Sequence, residues 1–128
     1  MIITICSSAK FYDKIPKIKR ELEDLGHQVL TPSLEFSRQD AKLKIENDLI
    51  MKHFKKIELC DAVYITNYNA NEVKGYIGGN TLMEMGLAYY LGKNIFMLNE
   101  IPKMPYTDEI IAVKPIVIGT DWDKLISK

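Results

Sequence analysis

The sequence predicts an α/β fold, a flavodoxin-like or Rossmann-like three-layer sandwich built on a five-stranded parallel sheet. Three observations predict it. Short segments rich in β-branched residues alternate with segments whose apolar residues recur at helical spacing. The first strand-like segment, 2–6, carries no charge, as expected of a strand buried on both faces. A long helical segment separates the second and third strands, which suggests the strand order 2-1-3-4-5.

Each element rests on apolar spacing and on the residues that end it. The helix at 12–25 has an apolar stripe and is closed by Gly26, while the second strand stops at Pro32. Residues 33–40 are expected to form a polar loop. The predicted strands lie at 2–6, 27–31, 61–66, 94–98 and 115–118, and the predicted helices lie at 12–25, 42–59, within 75–92, at 107–112 and at 121–127.

Length and charge restrict the class of protein. The 128 residues suit one domain spanning 1–128, and no repeat or linker is visible. Lys and Arg number 17 and Asp and Glu number 17, so no basic field favours polymeric nucleic acid. No apolar run is long enough for a membrane span, and residues 1–5 are too short for a secretion signal, so we expect a cytoplasmic protein. The near-zero net charge makes a homodimer plausible.

The two cysteines, Cys6 and Cys60, border or end apolar strand-like segments. We therefore expect both to be buried and reduced. Their spacing matches neither a zinc site nor a redox motif. The sequence accordingly predicts no metal site and no cofactor.

The functional site is predicted in the glycine-rich loop and helix at 75–92. Glu84 is the sole charged residue between Lys74 and Lys93. A carboxylate on an apolar helix is costly unless it is paired or neutralised. Glu84 is therefore either a structural group, as a cap or ion-pair partner, or a nucleophile or base in a dry pocket.

Three loops should meet Glu84 at the carboxyl ends of the strands, at 7–12, 67–80 and 99–106. In the first loop, Ser7, Ser8 and Lys10 could hold a phosphate together with helix-start amides, although a serine-rich turn can also serve only as a cap. In the second loop, the glycines allow close backbone approach to a ligand. The candidate binding residues in that second loop are Asn67, Gly78, Gly79 and Asn80, with Asn80 also a candidate N-cap.

Three further side chains complete the candidate set. His53, on the predicted long helix, titrates near neutral pH and could protonate a leaving group, or it is a half-buried structural histidine. Asp61 opens the third strand, where a capping or turn role is the strong alternative. Tyr12 could stack on a nucleobase, or it is a buried tyrosine with a satisfied hydroxyl.

Four segments together resemble the nucleoside 2-deoxyribosyltransferase family, including its branch of 2′-deoxynucleoside 5′-monophosphate N-glycosidases. The segments are Cys6-Ser7-Ser8-Ala9-Lys10, Asp61-Ala62-Val63, Glu84-Met85-Gly86 and Leu91-Gly92-Lys93-Asn94-Ile95-Phe96-Met97-Leu98. The resemblance implies a flavodoxin-like fold, a small-molecule nucleoside or nucleotide as substrate, and a homodimer whose sites borrow residues from the partner.

The resemblance also implies roles for single residues. Glu84 would attack the anomeric carbon of deoxyribose, and Ser8 and Lys10 match the positions that handle phosphate in the N-glycosidase branch. His53 aligns with a helix Asp that works with the family's nucleophile, and Ser7 replaces the usual Gly of the first loop. The loop between Asp61 and Glu84 is also longer than in those N-glycosidases.

The sequence also bears on two other function classes. The segment 78–84 also resembles the glycine-rich Thr-to-Glu segment of lysine-decarboxylase-like and nucleotide-sensing proteins, without their proline-led motif, which implies a non-catalytic nucleotide-binding module. A flavin or response-regulator domain is disfavoured. The sequence has no acidic cluster after the first strand and no hydroxyl-rich flavin phosphate loop of the usual kind.

Overall fold

The computed structural model describes residues 1–36 and 40–126 and confirms the predicted fold class. Five strands form one sheet in the order β2-β1-β3-β4-β5, with every neighbouring pair parallel. The strands are β1 (Ile2–Cys6), β2 (Gln28–Leu30), β3 (Ala62–Ile65), β4 (Asn94–Met97) and β5 (Ile116–Val117). The α-helices are α1 (Ile15–Asp24), α2 (Ala41–Glu46), α3 (Leu49–Leu59), α4 (Gly79–Tyr90) and α5 (Thr107–Ala112).

The sheet divides the hydrophobic core in two. Side chains alternate between the faces of each strand, so neighbours in sequence belong to different halves of the core. Tyr64 of β3 belongs to the half covered by α1, whereas Val63 and Ile65 belong to the half covered by α3, α4 and α5. Both faces of the central strands are therefore buried, which explains why these strands are almost wholly apolar.

The prediction of one continuous helix at 42–59 is wrong, because this segment forms two helices, α2 and α3. Asp48, between them, has φ 51° and ψ 41°, a left-handed conformation that interrupts helical hydrogen bonding. The Asp40 side chain caps α2 by accepting a hydrogen bond from the Leu43 amide at 2.9 Å. The break allows α2 to leave the line of α3.

The other helices also differ from prediction at their ends. The segment from Ala9 to Lys14 is a 3₁₀ helix, and α1 proper starts at Ile15 with Pro16 in its first turn, where a missing amide is harmless. Gly26 follows α1 with φ 93°, as its predicted closing role requires. The predicted final helix is a short 3₁₀ turn, Trp122–Lys124. Residues 37–39 of the predicted loop and Ser127 lie outside the described residues.

The central helix α4 is less buried than its composition predicts. Glu84, Met85 and Ala88 are buried against the sheet and α3, but Met83 and Tyr90 are exposed. The apolar composition of this helix predicts that the rest of the protein covers it on all sides. Within a single chain, however, the side of α4 that carries Met83 and Tyr90 is exposed to solvent. Among residues 1–36 and 40–126, no helix combines the length and apolar character needed to cross a membrane.

Candidate active site

A pocket of about 360 Å³ opens at the carboxyl ends of β1 and β3, where the predicted switch point of the sheet lies. Nine of the residues predicted from the sequence line it. Four come from the segment after β1, namely Ser7, Ser8, Lys10 and Tyr12, and five come from the helical layer, namely His53, Gly78, Gly79, Asn80 and Glu84. The pocket therefore brings together the first loop, α3 and the start of α4.

A cluster of three buried side chains borders this pocket. The thiol Sγ of Cys6 lies 3.6 Å from Nε2 of His53, and the same Nε2 lies 3.9 Å from Oε2 of Glu84. The candidate ligand atoms of the three side chains all lie within 4.8 Å of one another. The three residues come from β1, α3 and α4, so three separate elements must be in place for the cluster to form.

The periodicity of these elements explains the cluster. Thr4 and Cys6 lie on the same face of β1, and the Thr4 hydroxyl donates a hydrogen bond to a backbone carbonyl of α3 at 2.9 Å. On α3, His53 and Ile57 are one helical turn apart and both are buried. Glu84 lies on the buried side of α4, which packs against α3 and β1. Each side chain thus points into the same half of the core.

Glu84 is a buried carboxyl with an altered protonation equilibrium. Burial raises its pKa from the usual 4.5 to about 8, because the charged form loses its hydration. A hydrogen bond from the Cys6 thiol and the positive charge of Lys44 act in the opposite direction. Glu84 is therefore largely protonated at pH 7, and its ionised form becomes the major one only above about pH 8.

The pKa of His53 does not favour its predicted role as a proton donor. Its pKa is lowered from 6.5 to about 4, mainly by burial and further by the positive charge of Lys56. The ring is neutral at pH 7. A neutral imidazole is a far weaker acid than imidazolium, so the predicted role as proton donor loses support.

The loop after β1 is organised by its serines. Ser8 is the N-cap of the 3₁₀ helix, and its hydroxyl accepts a hydrogen bond from the Lys10 amide at 3.3 Å. The Ser7 hydroxyl donates to the Ser8 carbonyl at 3.1 Å. The capping role that was the alternative for this turn is thus present, and both serines also line the pocket.

Lys44 is a pocket residue that sequence reasoning missed. It lies on α2, and its Nζ donates a hydrogen bond to Oδ1 of Asn80 at 3.2 Å. Asn80 is therefore not the predicted N-cap of α4, because that position belongs to Gly78 and Asn80 lies inside the first turn. A lysine on an amphipathic helix carries no sequence signal for a site, so only the packing of α2 beside the start of α4 reveals Lys44 as a pocket residue.

The structure does not bring Asp61 or Asn67 to the pocket. Asp61 lies at the opposite, amino-terminal end of β3, where its Oδ2 accepts a hydrogen bond from the Ile2 amide at 2.7 Å. This is the capping role that was its alternative. Asn67 lies at the correct end of β3, but its side chain is turned toward Asn99, whose amide donates to Asn67 Oδ1 at 2.9 Å.

The third predicted loop, 99–106, also lies away from this pocket. Together with residues 69–75 it lines a second depression of about 740 Å³. The described residues of that depression include no buried ionisable side chain. The smaller pocket at Glu84 is therefore the better candidate for chemistry.

Comparisons with known proteins bear on the fold. No protein-family profile matches the sequence. No curated protein matches it either. The 2-deoxyribosyltransferase from the psychrotolerant bacterium Bacillus psychrosaccharolyticus has a TM-score of 0.57 and 19% identity, covering 76% of this chain and 71% of that chain. The Clostridium botulinum CMP N-glycosidase BcmB has a TM-score of 0.57 and 17% identity, covering 94% of this chain and 92% of that chain. The chain therefore shares its fold with a 2-deoxyribosyltransferase and with a CMP N-glycosidase.

Proposed function

We propose that this protein is an enzyme that cleaves or transfers the N-glycosidic bond of a 2′-deoxynucleoside or its 5′-monophosphate, with Glu84 as nucleophile. The observation that carries the proposal is a buried carboxyl at the wall of a polar pocket of about 360 Å³. The named activities of the two enzymes that share the fold support the same chemistry. Because a fold hosts many functions, the site is the stronger argument.

In the proposed reaction, a carboxylate oxygen of Glu84 attacks the anomeric carbon of the sugar. The new carbon–oxygen bond forms as the carbon–nitrogen bond breaks, and the base leaves with the electron pair of that bond and takes a proton. We assign this proton to solvent in the pocket, because His53 is neutral. Water, or a second base, then forms a bond to the same carbon as the carbon–oxygen bond to Glu84 breaks, and the attacking group loses its proton to solvent.

The rest of the pocket suits a phosphorylated sugar. Lys10 and Lys44 place two ammonium groups at its wall, and the Ser8 hydroxyl lies on the same loop as Lys10. Gly79 has no neighbouring atom within 4 Å of where a Cβ would stand, and it does not adopt a positive φ. Neither backbone strain nor packing therefore explains this glycine, whereas the close approach of a ligand does.

The test is product analysis by chromatography. The purified protein is incubated at pH 8.5, where Glu84 is largely ionised, with the four deoxynucleosides, their 5′-monophosphates and the ribose counterparts, each with and without a second free base. We expect free base from at least one deoxy substrate, and a new nucleoside with added base if the enzyme is a transferase.

Two variants decide the role of Glu84. Glu84→Gln keeps the size of the side chain and should lower turnover by roughly a thousandfold or more, as expected for loss of a nucleophile. Glu58→Gln, an exposed position on α3, is the matched control and should retain full turnover. Substantial turnover by Glu84→Gln would overturn the proposed mechanism.

A second candidate is a nucleotide-binding module without catalysis. It is favoured by the protonated state of Glu84 at neutral pH, since a neutral carboxyl can donate a hydrogen bond to a ligand. In that case nucleotides would raise the melting temperature, and no product would form at any pH. A ligand at a hundredfold excess over its Kd adds about 2.7 kcal/mol to the free energy of unfolding.

A further inference from the structure

Cys6 is a buried ionisable group that the proposed reaction does not use. Its thiol is fully buried, yet it lies beside two other potential metal ligands, His53 and Glu84. No sequence pattern predicts this arrangement, because Cys6 and His53 are 47 residues apart and match no zinc motif. The cluster forms only when β1, α3 and α4 pack together.

We propose that Cys6 Sγ, His53 Nε2 and a Glu84 carboxylate oxygen form a binding site for Zn²⁺ and that its occupancy blocks catalysis. The site goes beyond the proposed function, and only its activity readout rests on that function. Binding itself is measured independently of any turnover.

Two of the three distances in the cluster suit a tetrahedral zinc ion, and all three candidate ligand atoms lie within 4.8 Å of one another. Typical zinc bond lengths place a thiolate sulfur roughly 3.6 Å from an imidazole nitrogen, and that nitrogen roughly 3.4 Å from a carboxylate oxygen. In the structure, Cys6 Sγ lies 3.6 Å from His53 Nε2, and Nε2 lies 3.9 Å from Glu84 Oε2. The first distance needs no adjustment, and the second closes with a side-chain shift of about half an ångström.

The ligand chemistry also fits zinc. Thiolate, imidazole and carboxylate are the three ligand types that zinc uses in proteins, and a thiolate disfavours Mg²⁺. One thiolate and one carboxylate compensate the two positive charges of the ion, so the occupied buried site is electrically neutral. Binding releases the thiol proton of Cys6 and, below pH 8, the carboxyl proton of Glu84.

The position of the site links metal binding to activity. His53 and Glu84 line the pocket, so an ion can enter from solvent and its fourth coordination position faces the ligand space. Coordination to Zn²⁺ withdraws electron density from the Glu84 carboxylate and holds it at the metal, which lowers its nucleophilicity toward a sugar carbon. Zn²⁺ should therefore inhibit reversibly, and a chelator should restore turnover.

The first experiment measures binding with Co²⁺, a spectroscopic substitute for zinc. Chelator-treated, metal-free protein is titrated with Co²⁺ without oxygen, and we expect one equivalent to produce thiolate-to-cobalt absorption that one equivalent of Zn²⁺ removes. Mg²⁺ should produce no competition. Binding without the thiolate band places the ion elsewhere and overturns the proposal, as does the absence of binding.

Variants localise the site. Cys6→Ser should abolish the thiolate band and weaken Zn²⁺ inhibition by more than about 100-fold, since losing even an outer partner of a ligand costs about 10- to 100-fold. Cys60→Ser is the matched control, because Cys60 is buried but donates to the Ile57 carbonyl at 3.0 Å outside the cluster. The band and the inhibition should both survive in this control.

A second variant covers the case in which Cys6→Ser fails to fold. Glu84→Gln retains the thiol but loses the anionic oxygen, so its Co²⁺ affinity should fall at least tenfold. Unchanged affinity in both variants overturns the site. If metal-free protein releases no base but Co²⁺ binds with a thiolate band, the proposed function fails while the metal site stands.

Discussion

Glu84 is only 9% exposed, and its ionisable carboxyl lies beside a thiol and a neutral imidazole. Its raised pKa means that ionisation inside the folded protein is unfavourable relative to ionisation in the unfolded chain. The form that the proposed chemistry requires is therefore the form that destabilises the fold. This opposition is typical of functional sites.

The free energy of unfolding should accordingly decrease as the pH rises. Because the pKa of Glu84 is raised in the folded state, its favourable contribution is complete below pH 4.5 and is lost as pH rises through about 8. Glu84→Gln cannot ionise, so at pH 9 it should exceed the native protein in unfolding free energy by up to about 4 kcal/mol. The measurement is urea unfolding at pH 5 and pH 9, with chelator present.

The difference between the two proteins should be small at pH 5, since both then carry a neutral side chain at position 84. The lowered pKa of His53 affects acid stability in both proteins and cancels in the comparison. Glu58→Gln, on the exposed side of α3, should follow the native protein at both pH values. A constant difference between native protein and Glu84→Gln across this range would contradict the assigned pKa.

Lys10 should distinguish phosphorylated from unphosphorylated substrates. A charge-assisted hydrogen bond to phosphate is worth about 1.5–3 kcal/mol, and the exposed position of Lys10 favours the lower value. Lys10→Met should raise KM for a 5′-monophosphate roughly tenfold and leave KM for the nucleoside unchanged. Lys17→Met, on α1 outside the pocket, is the control. An equal effect on both substrates would exclude a phosphate role.

At the scale of elements, the connection between β3 and α4 is held by a small hydrogen-bond network. The Asn67 side chain accepts from the Asn99 amide, and the Asn99 side chain donates back to the Asn67 carbonyl, both at 2.9 Å. The Gly75 amide donates to Oδ1 of Asn69 at 2.9 Å. This network holds the polar segment that leads to Gly78 at the start of α4. It thereby helps to position the part of this segment that lines the pocket.

Gly75 should be the most sensitive glycine of this connection. It has φ 71°, and a Cβ there would lie 2.7 Å from the Glu100 carbonyl oxygen. Gly92 is the matched control, because it has φ 73° but no atom within 4 Å of its Cβ position. Gly92→Ala should cost about 1 kcal/mol through backbone conformation alone.

Gly75→Ala should add a steric cost to that conformational one. We expect it to be less stable than Gly92→Ala by a further 1–3 kcal/mol or so, measured from urea midpoints at equal m-values. It should also reduce binding of nucleotides, because displacement of the segment moves the pocket wall. Equal destabilisation by both substitutions would contradict this prediction. It would show that the 67–78 connection can shift to accommodate a Cβ at position 75 at little cost.

At the scale of the whole molecule, several large apolar side chains are exposed on α3 and α4. Met83 is 46% exposed and Tyr90 84% exposed on α4, and seven residues of helix place them on the same side. Met51 and Ile50 are exposed on the neighbouring α3. Such a concentration of apolar side chains is typical of an interaction surface.

The predicted homodimer should use this surface. Sedimentation velocity should give a dimer for the native protein, and replacing Met83 and Tyr90 together by Lys should shift it to monomer. Leu25→Lys introduces the same charge at an exposed apolar residue at the end of α1, on the other side of the sheet, and should remain dimeric. A monomeric native protein would refute the prediction.

The fold class and the strand order follow from the sequence alone, and the sequence also predicts Glu84 as the centre of the site. These depend on local patterns: two-residue and helical periodicity, end signals, and one charge in an apolar segment. Three features become visible only when the elements pack together: Lys44 lines the pocket, Asp61 lies at the opposite end of β3, and Cys6 meets His53 and Glu84. Local periodicity does not encode these outcomes, because they depend on which end of a strand a residue occupies and on distances between elements far apart in the chain.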